Sequence, residues 1–339
     1  MKLIIKWVER GYIPDIAVRL LIRILLKARL KKEYNASSQN LEDQLIVFRN
    51  KMEKEPIAHS VDSANDQHYE VPVLLFKNFM GKYLKYSCGY WHDGKEELDE
   101  SEEEMLKITC ERAQIKDGQQ ILELGCGWGS LSMWMAKKYP KSNITAVSNS
   151  ISQKLFIDSK QIPNLKVVTA DMNSFSTKMK FDRVISVEMF EHMRNWHKLL
   201  EKISEWLTQE GKLFIHIFVH RELAYLFDGK SSKDWMTKYF FKDGMMPAEL
   251  LLPLCNNNMI TDQIWKVNGN HYAKTLRAWL KKIDLNKNTA IKVLANDHGV
   301  CDGKTQWRRW RIFFMACEEL FRFKGGNEWY VCHYRLIKR

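Results

Sequence analysis

Acidic and histidine side chains cluster in the segment EMFEH at 188–192 of this 339-residue chain. Glu188, Glu191 and His192 together could hold a cation and accept its proton, because carboxylates and imidazoles are the usual acid–base groups. Side chains with perturbed pKa values also concentrate at functional sites. A structural interpretation stays open beside this one, in which Glu191 stabilises a helix start and His192 packs at the surface. The segment therefore predicts acid–base chemistry on a cationic ligand.

A glycine-rich segment, ELGCGWG at 123–129, follows the apolar run 121–124, which predicts a buried strand. Residues 131–136 after it predict a helix. Glycine lets the backbone turn sharply and approach a ligand closely. A strand, a glycine turn and a helix N-terminus form a site for a nucleotide or its amino-acid-bearing analogue. The spacing is shorter than G-x-G-x-x-G, which favours S-adenosylmethionine over a dinucleotide.

Strand and helix patterns alternate from residue 119 onwards, which predicts a parallel sheet. Strands are predicted at 120–124, 143–150, 165–172, 181–193 and 211–220. Ligands of such sheets bind beyond the carboxyl ends of the strands. Asp171, the segment 188–192 and His216 all lie near those ends. We therefore expect the sheet to bring them to one edge.

The composition is that of an ordinary globular protein, with 45% hydrophobic and 28% charged residues and a net charge of +12. The seven cysteines contain no C-x-x-C pair and no secretory signal is evident, so we expect a reduced, cytoplasmic protein. The ten histidines show no metal-ligand pattern, and the chain lacks the aromatic-and-basic repeat of a nucleic-acid module. Neither a metal nor a nucleic-acid partner is expected.

A basic segment at 14–33 combines a broad apolar helical face with several lysines and arginines. Charges interrupt it well before 18 apolar residues, so it is not expected to span a bilayer. The helix either lies on a membrane surface or docks its apolar face on the protein body. A peripheral membrane contact through this helix and a homodimer are therefore both considered as partners.

Several motifs between residue 55 and the C-terminus carry a family resemblance. They are ANDQHYEVP, LKYSCGYW, ELGCGWG, SNSISQK, VEMFEHM, DWMTKYFF, VNGNHYAKT and the RW-x-x-FF segment. Together they resemble the cyclopropane-fatty-acid-synthase-like group of S-adenosylmethionine methyltransferases, and within it the plant coclaurine- and benzylisoquinoline-type N-methyltransferases. Cyclopropane synthases have a small residue where this chain has Glu188, as in GMFEH. A carboxylate at this position suits a cationic amine better than an uncharged alkene.

The resemblance implies roles for six candidate catalytic residues. Glu191 and His192 match the pair implicated in N-methyl transfer, with Glu188 helping to hold the amine. Four residues match the positions that hold bicarbonate in cyclopropane synthases, namely Cys88, Glu191, His216 and Tyr272. The alternatives for Cys88 and Tyr272, a small buried hydrophobe and a core aromatic, stay open.

The resemblance also implies which residues hold the cofactor. Gly125 and Gly127 are expected against its methionine part. Tyr86 and Ser87 are expected at the carboxylate, Asn149 and Gln153 at the ribose, and Asp171 and Met172 at the adenine, with Val187 lining the site. The ribose assignment differs from the usual acidic residue, because the second strand ends in Ser148 and Asn149.

The sequence therefore predicts an α/β protein of the Rossmann-like class I methyltransferase fold, with a seven-stranded, mostly parallel sheet. An N-terminal helical extension is expected over 1–60, the methyltransferase domain over 61–339, and a helical cap over about 221–290. The predicted function is S-adenosylmethionine-dependent N-methylation of a small hydrophobic amine. The alternatives are methyl or methylene transfer to unsaturated lipid chains, as in cyclopropane-fatty-acyl-phospholipid synthases, and a non-catalytic lipid- or partner-binding protein.

Overall fold

The computed structural model describes residues 2–35, 40–59, 72–92, 97–227, 235–241, 244–255, 258–295 and 302–339. The strands are β1 (Gln120–Leu124), β2 (Asn143–Ser148), β3 (Leu165–Thr169), β4 (Phe181–Val187), β5 (Leu207–His220), β6 (Tyr225–Leu226), β7 (Met245–Met246), β8 (Met259–Val267) and β9 (Trp329–Lys338). The motif ANDQHYEVP lies outside the described residues, except for Pro72.

The helices are α1 (Lys2–Arg10), α2 (Asp15–Asn35), α3 (Leu41–Met52), α4 (Val73–Phe79), α5 (Leu98–Ala113), α6 (Ser130–Lys138), α7 (Ile151–Asp158), α8 (Trp196–Trp206), α9 (Trp235–Tyr239), α10 (Leu251–Leu254), α11 (Gly269–Leu285), α12 (Lys287–Ala295) and α13 (Gly303–Arg322). Short 3-10 turns lie at Phe190–His192 and Phe323–Gly326.

Seven strands form one sheet in the order β3-β2-β1-β4-β5-β9-β8. The first five of these are parallel, whereas β9 pairs antiparallel with both β5 and β8. Ile121, Leu122 and Leu124 of β1 are completely buried, as expected for a central parallel strand covered on both faces. This topology confirms the predicted fold class.

Some strand boundaries in the structure differ from the predicted ones. The third strand ends at Thr169 and the fourth at Val187, so Asp171 and the 188–192 segment lie in the loops beyond the strands. Strand β8 lies within the segment 221–290, for which a helical cap was expected. A register shift between Thr261 and Gln263 interrupts its pairing with β9, and such a bulge weakens the alternation by which a strand is recognised.

Helices α1 and α2 pack on α13. Arg19 contacts Glu319 at 2.8 Å and Glu318 at 2.7 Å, and Arg23 contacts Glu319 at 2.6 Å. Because both carboxylates are almost fully buried, these ion pairs fix α2 against the body of the protein. Within the described ranges, no helix is long and apolar enough to cross a membrane.

Candidate active site

The glycine turn between β1 and α6 forms one wall of a cavity at the carboxyl edge of the sheet. Gly125 and Gly127 have φ angles of +79° and +53°, a region in which other residues are strained. The Gly125 N–H donates to the Val147 carbonyl at 2.9 Å, which ties the turn to β2. A Cβ at Gly125 would lie 2.9 Å from Met189, whereas one at Gly127 would meet nothing within 4 Å. The space in front of Gly127 is therefore open to a ligand.

All nine predicted cofactor residues line this cofactor cavity. They are Tyr86, Ser87, Gly125, Gly127, Asn149, Gln153, Asp171, Met172 and Val187. Gln153 is buried, and its side-chain oxygen accepts from the Ser148 hydroxyl at 2.7 Å. The Asp171 carboxylate accepts from the Asn173 N–H at 2.8 Å. The segments after β1, β2 and β3, the end of β4 and the loop before α5 therefore bring the predicted set to one cavity.

Two buried polar atoms of the cofactor cavity show that it fits a polar ligand. Ser130 Oγ and Trp128 Nε1 have no hydrogen-bond partner among the described residues, and both residues line the cavity. Buried polar groups are almost always satisfied, so a bound molecule is expected to complete them. The donors and acceptors of S-adenosylmethionine suit this wall.

A second, mainly apolar cavity of about 700 Å³ adjoins the first. Helices α1 and α2 supply one wall, through residues such as Val8, Leu21 and Ile22, and the core of the cap supplies the other. Glu188 and His192 line both cavities, whereas Glu191 lines only the apolar one. The predicted acid–histidine cluster therefore lies where the two cavities meet.

The Glu188 carboxylate is held by three donors. The Cys88 N–H and His216 Nε2 each lie 3.2 Å from its Oε1, and the Tyr272 hydroxyl donates to its Oε2 at 2.6 Å. Glu188 has a φ angle of +47°, which is costly for a residue with a side chain. Its N–H donates to the His216 carbonyl at 2.8 Å, which fixes this backbone turn just beyond β4. The strained conformation places the carboxylate inside an anion-binding cradle, formed by Cys88 N–H, His216 and Tyr272.

Burial sets the protonation of the cluster. Burial raises the pKa of Glu188, and the positive charge of the nearby Lys85 ammonium partly offsets this rise. Burial and then the charge of Glu188 raise the pKa of Glu191 well above its ordinary value. Burial lowers the pKa of His192 to about 4, so its imidazole is neutral near pH 7. Glu191 Oε2 is buried without a hydrogen-bond partner in the part of the chain that the structure describes. The cluster therefore offers a neutral imidazole and a carboxyl group to a ligand in the apolar cavity.

Not every candidate side chain faces the cavities. Cys88 contributes its backbone N–H to Glu188, while its thiol is buried and donates to the Gly89 carbonyl at 3.1 Å. His216 is completely buried behind Glu188, and neither cavity includes it in its wall. Tyr272 does line the apolar cavity. The alternative interpretation of Cys88 as a small buried hydrophobe thus describes its side chain.

Sequence reasoning missed two charged groups next to this cluster, the buried Lys85 and the partly buried Arg112. The Lys85 ammonium donates to the Ser87 hydroxyl and, at 2.9 Å, to the Cys88 carbonyl, and its burial lowers its pKa. Arg112 Nη1 lies 2.7 Å from Nδ1 of His333, which is completely buried. A lysine or arginine is ordinarily exposed, so composition gave no signal.

Comparison with known proteins identifies the family. The profile of the mycolic acid cyclopropane synthetase family matches residues 58–330. (S)-coclaurine N-methyltransferase of Thalictrum flavum subsp. glaucum is 35% identical, over 99% of this chain and 95% of that enzyme. Pavine N-methyltransferase of the same plant is 33% identical, over 96% and 94%.

A solved structure agrees with this relationship. Coclaurine N-methyltransferase bound to N-methylheliamine and SAH superposes with a TM-score of 0.94 at 32% identity, covering 99% of each chain. The match includes the N-terminal helices as well as the sheet. S-adenosylmethionine is accordingly the cofactor of this enzyme. The chain belongs to the mycolic acid cyclopropane synthetase family and is an S-adenosylmethionine-dependent N-methyltransferase within it.

Proposed function

We propose that the enzyme methylates the nitrogen of a small, hydrophobic secondary or tertiary amine, which it binds as the ammonium in the apolar cavity. The observation that carries this proposal is that Glu188 and His192 line both cavities, so an amine beside them adjoins the cofactor cavity. An apolar cavity of about 700 Å³ suits a ring-containing molecule of drug size. The names of the coclaurine and pavine enzymes support an alkaloid-like amine.

The acid–histidine cluster would prepare the amine for transfer. An ammonium has no lone pair, so it must lose a proton before it can act as a nucleophile. Glu188 holds the ammonium through Oε2, which has room for a further donor beside Tyr272. His192 is neutral and can therefore accept the proton, whereas Glu191, whose raised pKa favours its uncharged form, can accept a proton only after it has ionised. S-adenosylmethionine supplies the methyl group as an electrophilic sulfonium.

The cofactor residues keep the roles that the resemblance implies, as part of the proposal. Tyr86 and Ser87 would hold the carboxylate, and Gly125 and Gly127 the methionine part. Asn149 and Gln153 would bind the ribose, and Asp171 and Met172 would bind the adenine. Val187 would line the site. Their common cavity wall supports this assignment.

Transfer to a lipid chain is not favoured. The resemblance assigns bicarbonate binding in cyclopropane synthases to positions that here include Cys88, His216 and Tyr272. In this chain all three donate to Glu188 instead. The anion-binding cradle is thus occupied by a carboxylate of the protein itself, which suits the capture of a cation.

Turnover with a panel of cyclic amines and isotope-labelled S-adenosylmethionine tests the proposal. Mass spectrometry should find the label in an N-methylated amine and none in unsaturated phospholipids. His192→Ala should lower kcat/KM by about 10²- to 10⁴-fold, the usual contribution of an acid–base group. His197→Ala is the matched control, because His197 lines neither cavity. Label in cyclopropane lipids and in no amine would refute the proposal.

We further propose that α1 and α2 contact an anionic membrane surface. Four large apolar side chains on these helices are about half exposed or more, namely Leu3 (68%), Trp7 (49%), Ile16 (72%) and Leu20 (53%). Exposed lysines such as Lys27 follow on the same pair of helices. A mixed apolar and basic surface complements anionic lipid, whereas a second copy of this surface would bring like charges together. Exposed residues of the same two helices, such as Ile4 and Leu25, also line the apolar cavity, so a hydrophobic amine would enter beside the lipid.

Vesicle co-sedimentation tests whether this surface binds a membrane or forms a homodimer. Binding to phosphatidylserine-containing vesicles should exceed binding to phosphatidylcholine vesicles and weaken with salt. Trp7→Ser with Ile16→Ser should abolish it, whereas Leu285→Ser, at a residue 76% exposed on α11, should not. A dimer in sedimentation equilibrium that the double variant dissociates, without vesicle binding, would contradict the membrane contact. The cytoplasmic location stays a prediction.

A further inference from the structure

A row of polar side chains continues behind Glu188. His216 on β5 and His333 on β9 are directly opposite in the antiparallel register, with ring centroids 4.6 Å apart, and both are completely buried. His333 Nε2 lies 2.9 Å from His216 Nδ1, and Arg112 Nη1 lies 2.7 Å from His333 Nδ1. With His216 Nε2 at 3.2 Å from Glu188 Oε1, the row joins Arg112 to Glu188 without a gap.

Arg112 fixes the direction of every hydrogen bond in this row. A guanidinium has only donors and keeps its proton in proteins. His333 Nδ1 must therefore accept, which leaves the ring proton on Nε2, where it is donated to His216 Nδ1. His216 must in turn carry its proton on Nε2, where it is donated to Glu188. One arrangement of protons satisfies all four groups.

We propose that Arg112 and His333 are positioning residues, which hold the Glu188 carboxylate in place by locking the tautomer of His216. If His216 carried its proton on Nδ1, its Nε2 lone pair would face the carboxylate and repel it. The row crosses β5 and β9, so the strand pairing keeps both rings in place. Because both histidine rings are completely buried, little solvent screens their contacts with each other and with Glu188, which strengthens them. The row carries no proton away, since Arg112 cannot accept or release one.

The tautomers can be measured in the resting protein. In ¹⁵N-histidine spectra of the full chain with SAH, His216 and His333 should both be neutral with the proton on Nε2. Arg112→Gln, whose amide can donate or accept, should allow the reversed tautomers to appear. Arg112→Lys, which again offers only donors, is the matched control and should preserve the wild-type spectrum. Assignment uses His216→Gln and His333→Gln.

Turnover measures the consequence for Glu188, and this arm rests on the proposed amine methylation. His333→Leu should lower kcat about tenfold or more while SAH affinity changes less than twofold, because Glu188 loses its orientation. His333→Gln should retain most of the rate, since its amide offers a donor towards His216 and an acceptor towards Arg112. A purely structural role would instead lower SAH binding and melting temperature in parallel with the rate.

Three results would overturn the inference: an Nδ1 proton on either histidine of the wild type, full kcat in a folded His333→Leu, or a loss that His333→Gln does not restore. If His333→Leu does not fold, the spectra of the wild type and of the Arg112 pair decide. If no amine is methylated by the wild type, the proposed function fails, while the spectra still test the tautomer lock independently.

Discussion

Glu188→Gly isolates the role of one carboxylate. Glycine adopts the φ angle of +47° at position 188 without strain, whereas this backbone conformation costs glutamate about 1–2 kcal/mol. The substitution removes the acceptor of three hydrogen bonds, from the Cys88 N–H, His216 and Tyr272. Relief of the backbone strain offsets part of this loss. We therefore expect the variant to fold and to bind SAH.

The effect on turnover follows from the contact that the substrate loses. A hydrogen bond to a charged group contributes about 1.5–3 kcal/mol. At 1.4 kcal/mol for each factor of ten, kcat/KM for the amine should fall about 10- to 150-fold if Glu188 only holds the ammonium. A fall of about 10³-fold or more would mean that Glu188 also accepts the proton.

Initial rates with labelled S-adenosylmethionine, measured over a range of amine concentrations, provide the test. Calorimetric titration with SAH and thermal unfolding serve as controls for folding. Glu188→Gln is the matched variant, because it keeps the backbone strain and the side-chain size but removes the charge. A glycine variant that retains kcat/KM within about threefold of the wild type would refute the reasoning, since the loss of a hydrogen bond to a buried charged group should cost more than that.

Three further outcomes are expected. Formate should restore part of the rate of Glu188→Gly in a concentration-dependent way, because the emptied cradle keeps its donors, and should not help Glu188→Gln. Burial lowers the pKa of His220 to about 4, so the unfolded state takes up a proton before the folded state does, and the free energy of unfolding should fall as the pH drops from 6.5 to 4. Urea titrations of the wild type and of His220→Gln at several pH values check this. The same dependence of the free energy of unfolding on pH in both proteins would contradict it. Gly125→Ala should weaken SAH binding and lower the melting temperature, because its Cβ would lie 2.9 Å from Met189. Gly118→Ala controls for backbone strain alone, because Gly118 has a φ angle of +89° and a Cβ there would meet no atom within 4 Å. An equal loss of SAH binding and melting temperature in Gly118→Ala would contradict the explanation by a clash.

Much of the sheet and of the cavity walls could be predicted, because both depend on local patterns. The glycine turn and the residues following each strand, such as Asn149 and Asp171, are adjacent in sequence to the strands that position them. The topology confirms the sheet, and the nine cofactor residues share one cavity. Their individual contacts with the cofactor stay predictions.

The rest depends on contacts between distant segments. Arg112 on α5 and His333 on β9 are 221 residues apart, and only the tertiary fold brings them together, while the pairing of β9 with β5 places His333 beside His216. Lys85 is an ordinary lysine in the sequence, and its burial follows from the fold around the Cys88 loop. The positive φ of Glu188 has no signal in a single sequence, because residues with side chains seldom adopt it. Long-range pairing and backbone strain thus set the limit of what the residues alone could predict.

The position of β9 between β5 and β8 has a consequence for how the enzyme is made. Both neighbours leave the ribosome before β9 does, so until β9 arrives β5 is an unpaired edge and β8 has no partner in the sheet. An open edge of this kind invites pairing with other chains, and contacts distant in sequence form slowly. Because β9 also carries His333, the nascent protein can build its cofactor cavity well before its acid–histidine cluster is supported. Support of the acid–histidine cluster therefore waits for a strand that is made after every other strand of the sheet.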